Sequence, residues 1–432
     1  MVTVSNLPQA ANLCSTMKHN SNSKSVFFKL SVSTATVFCL AGIAAVLFAA
    51  IKIDPAVGKV ELLAPGGSCS WLAARDLPSV GTHLVGVFYP GNFHHSRNTI
   101  GGGSTALAQP TVTPPPLGKF FAIGGRSSDT PGSDFTHPFQ YDPASNTWTT
   151  KSATYPDNQV SDMACGVLNV SGADYIYCVG GSATGATTAT GRAFRYDPIT
   201  DTITTIDAPW PGAMGTIVPG GFSVFDNKLY ILGGFNINVG MVDTIWEFTP
   251  CPSPSWVQKS AHLPTPLGYI PTATIGAHIY TAGGSTWDPV GMVLHDSNFS
   301  FAYDPVADTI RNIPSIPRNT AETRGLNFCS MMYVMGGGRD APNPSNEVDI
   351  FDPSTNSWST GQPFVNARRN FATDTDSTNR IWLTGGYDTS GSPIASMEIF
   401  NCPESPCAPS PTPTATPQQR QHPHERQHQR LR

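Results

Sequence analysis

An apolar run that ends in Gly-Gly recurs six times along this chain, and no other feature constrains the fold as tightly. The copies are Phe120–Gly125 (FFAIGG), Tyr175–Gly181 (YIYCVGG), Leu229–Gly234 (LYILGG), Ile279–Gly284 (IYTAGG), Met332–Gly337 (MYVMGG) and Ile381–Gly386 (IWLTGG). Successive glycine pairs are 56, 53, 50, 53 and 49 residues apart. Between 14 and 19 residues after each pair stands an aromatic turn: Tyr141-Asp142-Pro143, Tyr196-Asp197-Pro198, Phe248-Thr249-Pro250, Tyr303-Asp304-Pro305, Phe351-Asp352-Pro353 and Phe400-Asn401. Seven or eight residues later comes Trp148, Ile203, Trp256, Ile310 or Trp358, and the sixth copy has no such partner. A period near 50 residues is that of a repeat architecture in which each unit needs a neighbour to bury its apolar face.

Each part of the repeat has a physical reason. The apolar run suits a strand covered on both faces by adjacent sheets. Glycines at its end permit positive φ and close approach of another backbone. Asp-Pro reverses the chain, because Pro fixes φ and the Asp oxygen can accept from turn amides. The indole that follows offers a large face to bury. The 40 Gly and 39 Pro, with only 13 % charged residues, agree with many short strands and argue against a helical protein.

With these motifs in hand, the chain resembles the kelch-repeat family over Cys69 to Cys407. The resemblance implies an all-β, six-bladed kelch propeller of four-stranded antiparallel blades. Ser70-Trp71-Leu72 reads like Ser255-Trp256-Val257, so an N-terminal strand is expected to supply the missing outer strand of the last blade and close the ring. The expected organisation is residues 1–29 as a leader, 30–51 as a hydrophobic helix, 52–68 as a linker, 69–407 as the propeller and 408–432 as a Pro/Thr-rich and basic tail without structure. An irregular low-complexity insertion is expected at 90–118, inside the first blade.

Lys18, Lys24 and Lys29 precede the uncharged stretch Leu30–Ile51, which at about 1.5 Å per residue is long enough to span a bilayer core of roughly 30 Å. The lysines favour that end remaining cytoplasmic. An uncleaved anchor and a cleaved signal peptide both export the rest of the chain. Met17-Lys18 reads as the natural start of such a leader, and the closing QQRQHPHERQHQRLR reads as a frame-shifted Thr-Pro repeat. Its His422 and His424 are taken as solvated tail.

Seven of the nine cysteines follow the hydrophobic stretch, in a compartment where disulfides persist. Cys165 and Cys178 are symmetric about Ser171-Gly172 and should face each other across a hairpin. Ring closure would bring Cys69 near Cys402 or Cys407, where a bond would remove about 4–5 kcal/mol of unfolded-state loop entropy. Cys402–Cys407 is the local alternative, and Cys251 and Cys329 are expected to be unpaired.

No catalytic or metal signature stands out, and no cofactor is implied. Asp374-x-Asp376-x-x-Asn379 lacks the glycine and final Glu of a calcium loop and is expected to be a hairpin turn. His94-His95 has no Cys or His at zinc spacing. The net charge of −5 leaves no electrostatic footprint for nucleic acid. The copper radical oxidases with kelch propellers are excluded, since the chain has neither an adjacent Tyr-His pair nor their additional domain. The periplasmic sialic acid mutarotases are similar in architecture. Arg324 (in Glu322-Thr323-Arg324), Arg368 and Arg369 open the innermost strands of the fifth and sixth blades and, with Glu322, are the expected ligand residues at the channel mouth.

The reading that follows is a monomeric, exported propeller that binds a protein or carbohydrate ligand without catalysis and meets the membrane only through its N-terminal segment. The alternative is a sugar-modifying enzyme of the mutarotase kind, and a buried Glu or Asp beside these arginines would favour it.

Overall fold

The second strand of each repeat is apolar on both sides because it has a sheet on each face. Phe120, Phe121, Ala122 and Ile123 are all fully buried, as are Leu229, Ile231 and Leu232. The computed structural model describes residues 50–54, 59–63, 69–91, 118–212, 217–238, 240–338, 343–402 and 407. Within these, six four-stranded antiparallel sheets stand side by side as propeller blades.

In order from the innermost strand outward, blade 1 is Val85–Tyr89, Lys119–Ile123, Phe139–Asp142 and Thr147–Thr150. Blade 2 is Ala164–Val170, Ala173–Val179, Ala193–Asp197 and Thr202–Ile206. Blade 3 is Ile217–Phe225, Lys228–Asn236, Gly240–Thr249 and Ser255–His262. Blade 4 is Thr272–Ile275, His278–Ala282, Ser300–Asp304 and Thr309–Asn312, with an extra hairpin, Ser285–Asp288 and Val293–Asp296, between its second and third strands. Blade 5 is Gly325–Phe328, Met331–Met335, Val348–Asp352 and Ser357–Thr360. Blade 6 is Ala372–Thr375, Arg380–Thr384 and Met397–Asn401, with Ser70–Ala73 as its fourth strand.

The repeat motifs fall into one register. The aromatic of the third strand pairs with the large apolar residue of the fourth in every blade: Tyr141 with Trp148, Tyr196 with Ile203, Phe248 with Trp256, Tyr303 with Ile310, Phe351 with Trp358, and Phe400 with Trp71. Trp71 therefore occupies in blade 6 the place that Trp256 has in blade 3.

The glycine pairs join neighbouring blades. A Cβ on Gly124 would come within 2.2 Å of the Val160 carbonyl oxygen, and one on Gly283 within 2.1 Å of that of Thr320. Those same carbonyls accept the N–H of the second glycine, Gly125 at 2.9 Å and Gly284 at 2.8 Å. Only a residue without a side chain lets the blades approach this closely. The same bond, Gly386 N–H to Gly81 O at 2.7 Å, links blade 6 to blade 1.

Cys165 and Cys178 pair in the hairpin register and are disulfide-bonded, and Cys69 is bonded to Cys402. Cys329 corrects the sequence reading: it is bonded to Cys407. Cys329 lies in the first turn of blade 5, whose N–H donates to Ser377 O in the corresponding turn of blade 6, and Cys407 reaches that junction. The contact joins two blades, which spacing within one repeat cannot reveal. Cys402–Cys407 does not form, and Cys251 is free.

The segment expected as a membrane helix lies outside the described residues except for Ala50 and Ile51. These belong to a short hairpin, Ala50–Asp54 paired with Lys59–Leu63, where a linker was expected. Alternation of apolar and charged residues in Ile51-Lys52-Ile53-Asp54 explains the strand. Among the described residues no helix is long and apolar enough to cross a membrane. The expected insertion and tail, residues 92–117 and 408–432, also lie outside the described residues; the two strands on either side of the first gap pair with each other, Tyr89 opposite Lys119.

Candidate functional site

Five residues that lead into innermost strands share a left-handed backbone: His83, Asp162, Tyr269, Glu322 and Asn370, with φ between 51° and 60°. Such φ is uncommon for residues other than glycine, and Asn, Asp and His are the types that tolerate it best. They form a belt of backbone bonds between blades. His83 N–H donates to Asn370 O at 2.8 Å, Asn370 N–H to Glu322 O at 2.7 Å, Glu322 N–H to Tyr269 O at 3.3 Å, and Asp162 N–H to His83 O at 3.4 Å. In four blades the residue after the Gly-Gly pair bridges the position just before this belt: Arg126 to Thr82, Ser182 to Ser161, Ser285 to Gly268 and Tyr387 to Arg369. Two sequence positions per repeat thus build one end of the channel.

That end opens into a cavity of about 400 Å³. Its wall carries a polar network drawn from blades 1, 2 and 6. Arg126 Nη2 donates to His83 Nε2 at 2.8 Å, so Nε2 carries a lone pair and the ring proton is on Nδ1, which donates to Asp162 Oδ1 at 2.8 Å. The Tyr387 hydroxyl donates to Asp129 Oδ1 at 2.5 Å, and Arg126 donates to the same oxygen from Nε at 3.1 Å and Nη2 at 2.8 Å. Burial, reinforced by the bond to Asp129, pushes the Tyr387 phenol up to about 12. Burial acts to raise the Asp129 carboxyl as well, but the bonds from Tyr387 and Arg126 outweigh it and hold Asp129 below the usual range.

The residues expected from sequence divide among three places. Arg369 lines the mouth, with its guanidinium 4.6 Å from the Tyr387 ring centroid and Nη1 2.5 Å from Glu322 Oε2. Glu322 is 3 % exposed, so this is a carboxylate buried beside one of the expected arginines. Arg368 belongs to the interior of blade 6, fully buried, and donates to Gly385 O, Ser396 O and Glu398 Oε1. Burial, only partly offset by Glu398, brings its guanidinium down to about 10. This placement takes Arg368 out of the site: both arginines precede the innermost strand, where Arg369 bridges Tyr387 and lines the mouth while Arg368 turns into the blade towards Glu398. Arg324 lies deeper, with its guanidinium 4.0 Å from the Phe222 ring centroid.

His83, Arg126, Asp129, Asp162 and Tyr387 were not among the sequence candidates. The position immediately after Gly-Gly was the available signal, since the rim loops start there. Asp376 forms the expected hairpin turn, its Oδ1 accepting from the N–H groups of Thr378, Asn379 and Arg380, whereas Asp374 lies in the strand before it and accepts the Phe88 N–H of blade 1. Among the described residues no group of three or more His, Cys, Asp or Glu is arranged to hold a metal.

Comparison with known proteins matches the kelch motif to residues 327–364, which run through blade 5. The chain is a kelch-repeat protein. Its relatives include the kelch-like protein terF of Aspergillus terreus, 30% identical over 230 residues, which are 51% of this chain and 48% of that one. An F-box/kelch-repeat protein of Arabidopsis thaliana is 33% identical over 89 residues, 20% of this chain and 22% of that one. Beta-scruin of Limulus polyphemus is 27% identical over 183 residues, 40% of this chain and 19% of that one. The kelch-repeat chain thus matches less than half the length of each of these relatives. The solved structure of YjhT superposes with a TM-score of 0.54 at 12% identity, covering 75% of this chain and 95% of that one. At that identity the likeness is one of fold.

Proposed function

We propose that this kelch-repeat chain is an extracytoplasmic binding module whose channel mouth takes a small polyhydroxylated ligand, a carbohydrate. The observation that carries the reading is the cavity of about 400 Å³ at the belt of left-handed residues, walled by Arg126, His83, Asp162, Tyr387 and Arg369. Its arginines already face carboxylates, so the wall presents alternating donors and acceptors rather than net positive charge. Hydroxyl groups, which donate and accept, suit such a wall, and Tyr269 and Phe235 add apolar faces. Export is supported by three disulfides and by the lysines ahead of the apolar N-terminal stretch. Closure of the ring by the N-terminal strand is supported by the Trp71–Phe400 pairing, the Cys69–Cys402 bond and the His83-to-Asn370 backbone bond.

Glycan-array binding followed by calorimetry tests this reading. His83→Ala and Tyr387→Phe, with Arg369→Ala, should each weaken glycan binding at least about tenfold, the loss of one buried polar partner. Unchanged affinity in all three variants would sink it.

One observation favours the second reading, a sugar-modifying enzyme. The Asp162–His83 pair and buried Glu322 line the same small cavity below the mouth, and an Asp–His pair beside a carboxylate is a set of groups that can move a proton once a substrate displaces Arg126 from the imidazole. NMR exchange spectroscopy on reducing sugars distinguishes the two. Anomer interconversion faster than buffer, abolished by His83→Ala, supports catalysis, whereas no acceleration leaves a binder.

A further inference from the structure

Three cavities follow one another along the channel. The mouth cavity shares His83, Asp162 and Tyr269 with a small one of about 60 Å³, and Arg324 is common to that cavity and to one of about 340 Å³ on its far side. Among the described residues, Arg324 is therefore the one basic side chain that borders both inner cavities.

Its surroundings differ from those of other arginines in this protein. Arg126 holds Asp129 at 2.8 Å, Arg192 holds Asp157 at 2.5 Å, Arg318 holds Asp349 at 2.6 Å, Arg368 holds Glu398 at 2.8 Å and Arg369 holds Glu322 at 2.5 Å. Among the described residues Arg324 has no such carboxylate, and its buried Nε and Nη1 have no hydrogen-bond partner. These atoms lie on opposite edges of the guanidinium, so neither edge is filled. The Phe222 ring beneath fixes the plane of the group. A buried donor left without an acceptor is costly, and more so when it is charged.

The nearby carboxylates are otherwise engaged. Asp374, whose field reaches Arg324, accepts the Phe88 N–H at 2.6 Å and the Thr375 N–H at 2.9 Å. Asp162 is held by His83 and Glu322 by Arg369.

We propose that Arg324 is a carboxylate-binding subsite inside the channel, and that the ligand is a small hydroxylated acid whose carboxylate reaches it from the mouth. A planar carboxylate matches the guanidinium fork and fills the donors that the protein leaves empty. The hydroxylated half of this statement rests on the mouth reading; the carboxylate half rests on Arg324 alone.

Thermal unfolding of the full oxidised chain in sodium acetate against sodium chloride, at equal ionic strength, tests the subsite. The wild-type midpoint should rise saturably with acetate. Arg324→Met should lose that response while starting no lower in chloride, because an apolar side chain replaces an unpaired buried charge. Asp374→Asn removes the competing field without touching Arg324, and should strengthen acetate binding about three- to tenfold. A response retained in Arg324→Met, absent from wild type, or unmoved by Asp374→Asn overturns the proposal. Glucose and glucuronate then separate the two readings. Glucuronate binding tighter than glucose in wild type, but not in Arg324→Met, supports both. An intact acetate response with no sugar bound overturns the mouth reading and the hydroxylated half, and leaves the carboxylate subsite standing.

Discussion

Four blades and two blades of this propeller solve the same joint with opposite polarity. In blades 1, 3, 5 and 6 an indole N–H donates to a carbonyl just beyond the outer strand of the preceding blade. Trp148 reaches Arg75 O at 2.8 Å, Trp256 Ala208 O at 2.9 Å, Trp358 Pro314 O at 2.8 Å and Trp71 Gln362 O at 2.9 Å. Blades 2 and 4 have Ile203 and Ile310 there, which donate nothing. An aspartate two residues earlier accepts instead: Asp201 takes the Ser152 N–H at 2.8 Å, and Asp308 takes the Ser260 N–H at 2.7 Å. Each also accepts a tyrosine hydroxyl of its own blade, Tyr196 or Tyr303, at 2.9 Å. Blade 1 has both devices, with Asn146 accepting the Arg75 N–H at 2.9 Å. The turn needs a left-handed residue at this place, φ 52° to 54°, which selects Asn or Asp; the side-chain oxygen then serves the joint. The lesson is that the fold fixes the position of a contact between blades and leaves its chemistry open.

The largest test concerns the one blade whose outer strand comes from the far end of the sequence. Removing Cys69–Cys402 with serines should cost blade 6 on the order of 5 kcal/mol, against roughly 3 kcal/mol for Cys165–Cys178, because the closed loops differ so much in length. Urea unfolding of the two double variants measures the difference, and equal losses would show that the seam in blade 6 is no more dependent on its covalent link.

Next comes the aspartate joint. Asp308→Ala strands two backbone N–H groups and a tyrosine hydroxyl, and should lower stability by about 2–3 kcal/mol. Asp308→Asn restores the chemistry of Asn146 and should recover most of that loss. If both variants fall equally, charge rather than an acceptor oxygen holds the joint.

A smaller effect appears with acid. Burial acts to raise Asp201 and Asp308, yet backbone and tyrosine hydrogen bonds outweigh it and hold both carboxyls below the usual range. A carboxyl that is lower in the folded than in the unfolded state adds stability above its unfolded value of about 3.9, and that stability is lost as pH falls through the folded value. Wild-type stability should therefore drop below about pH 4, and Asp201→Asn/Asp308→Asn should flatten the drop. Parallel curves would assign the acid sensitivity to other groups. The smallest loss, about 1 kcal/mol, is expected for Trp358→Phe, which keeps the ring and removes one exposed hydrogen bond. A loss several times larger would mean that the indole packs as well as bonds.

The blades were legible in the sequence because each repeat states its own strands: apolar run, glycine pair, aromatic turn and indole are local signals within some 50 residues. Trp71 was legible for the same reason, since its neighbours copy those of Trp256. The mouth was only half legible. Arg369 and Glu322 stood out as charged residues before an innermost strand, but Arg368 looked equal to Arg369 until the fold paired one with Glu398 inside the blade and bridged the other to Tyr387 at the mouth. His83, Asp162 and Tyr387 come from three repeats and share no local pattern beyond their position around the glycines.

Sequence alone therefore determined the repeat, the number of blades, the hairpin disulfide Cys165–Cys178 and the strand that pairs with Phe400. These depend on spacing and side-chain type within a unit or on likeness between units. Tertiary structure alone decided the Cys329–Cys407 bond, the network around His83 and the unfilled donors of Arg324. Each of these depends on which residues of different blades meet, and that is set by how six twisted sheets pack around a channel rather than by any one stretch of chain.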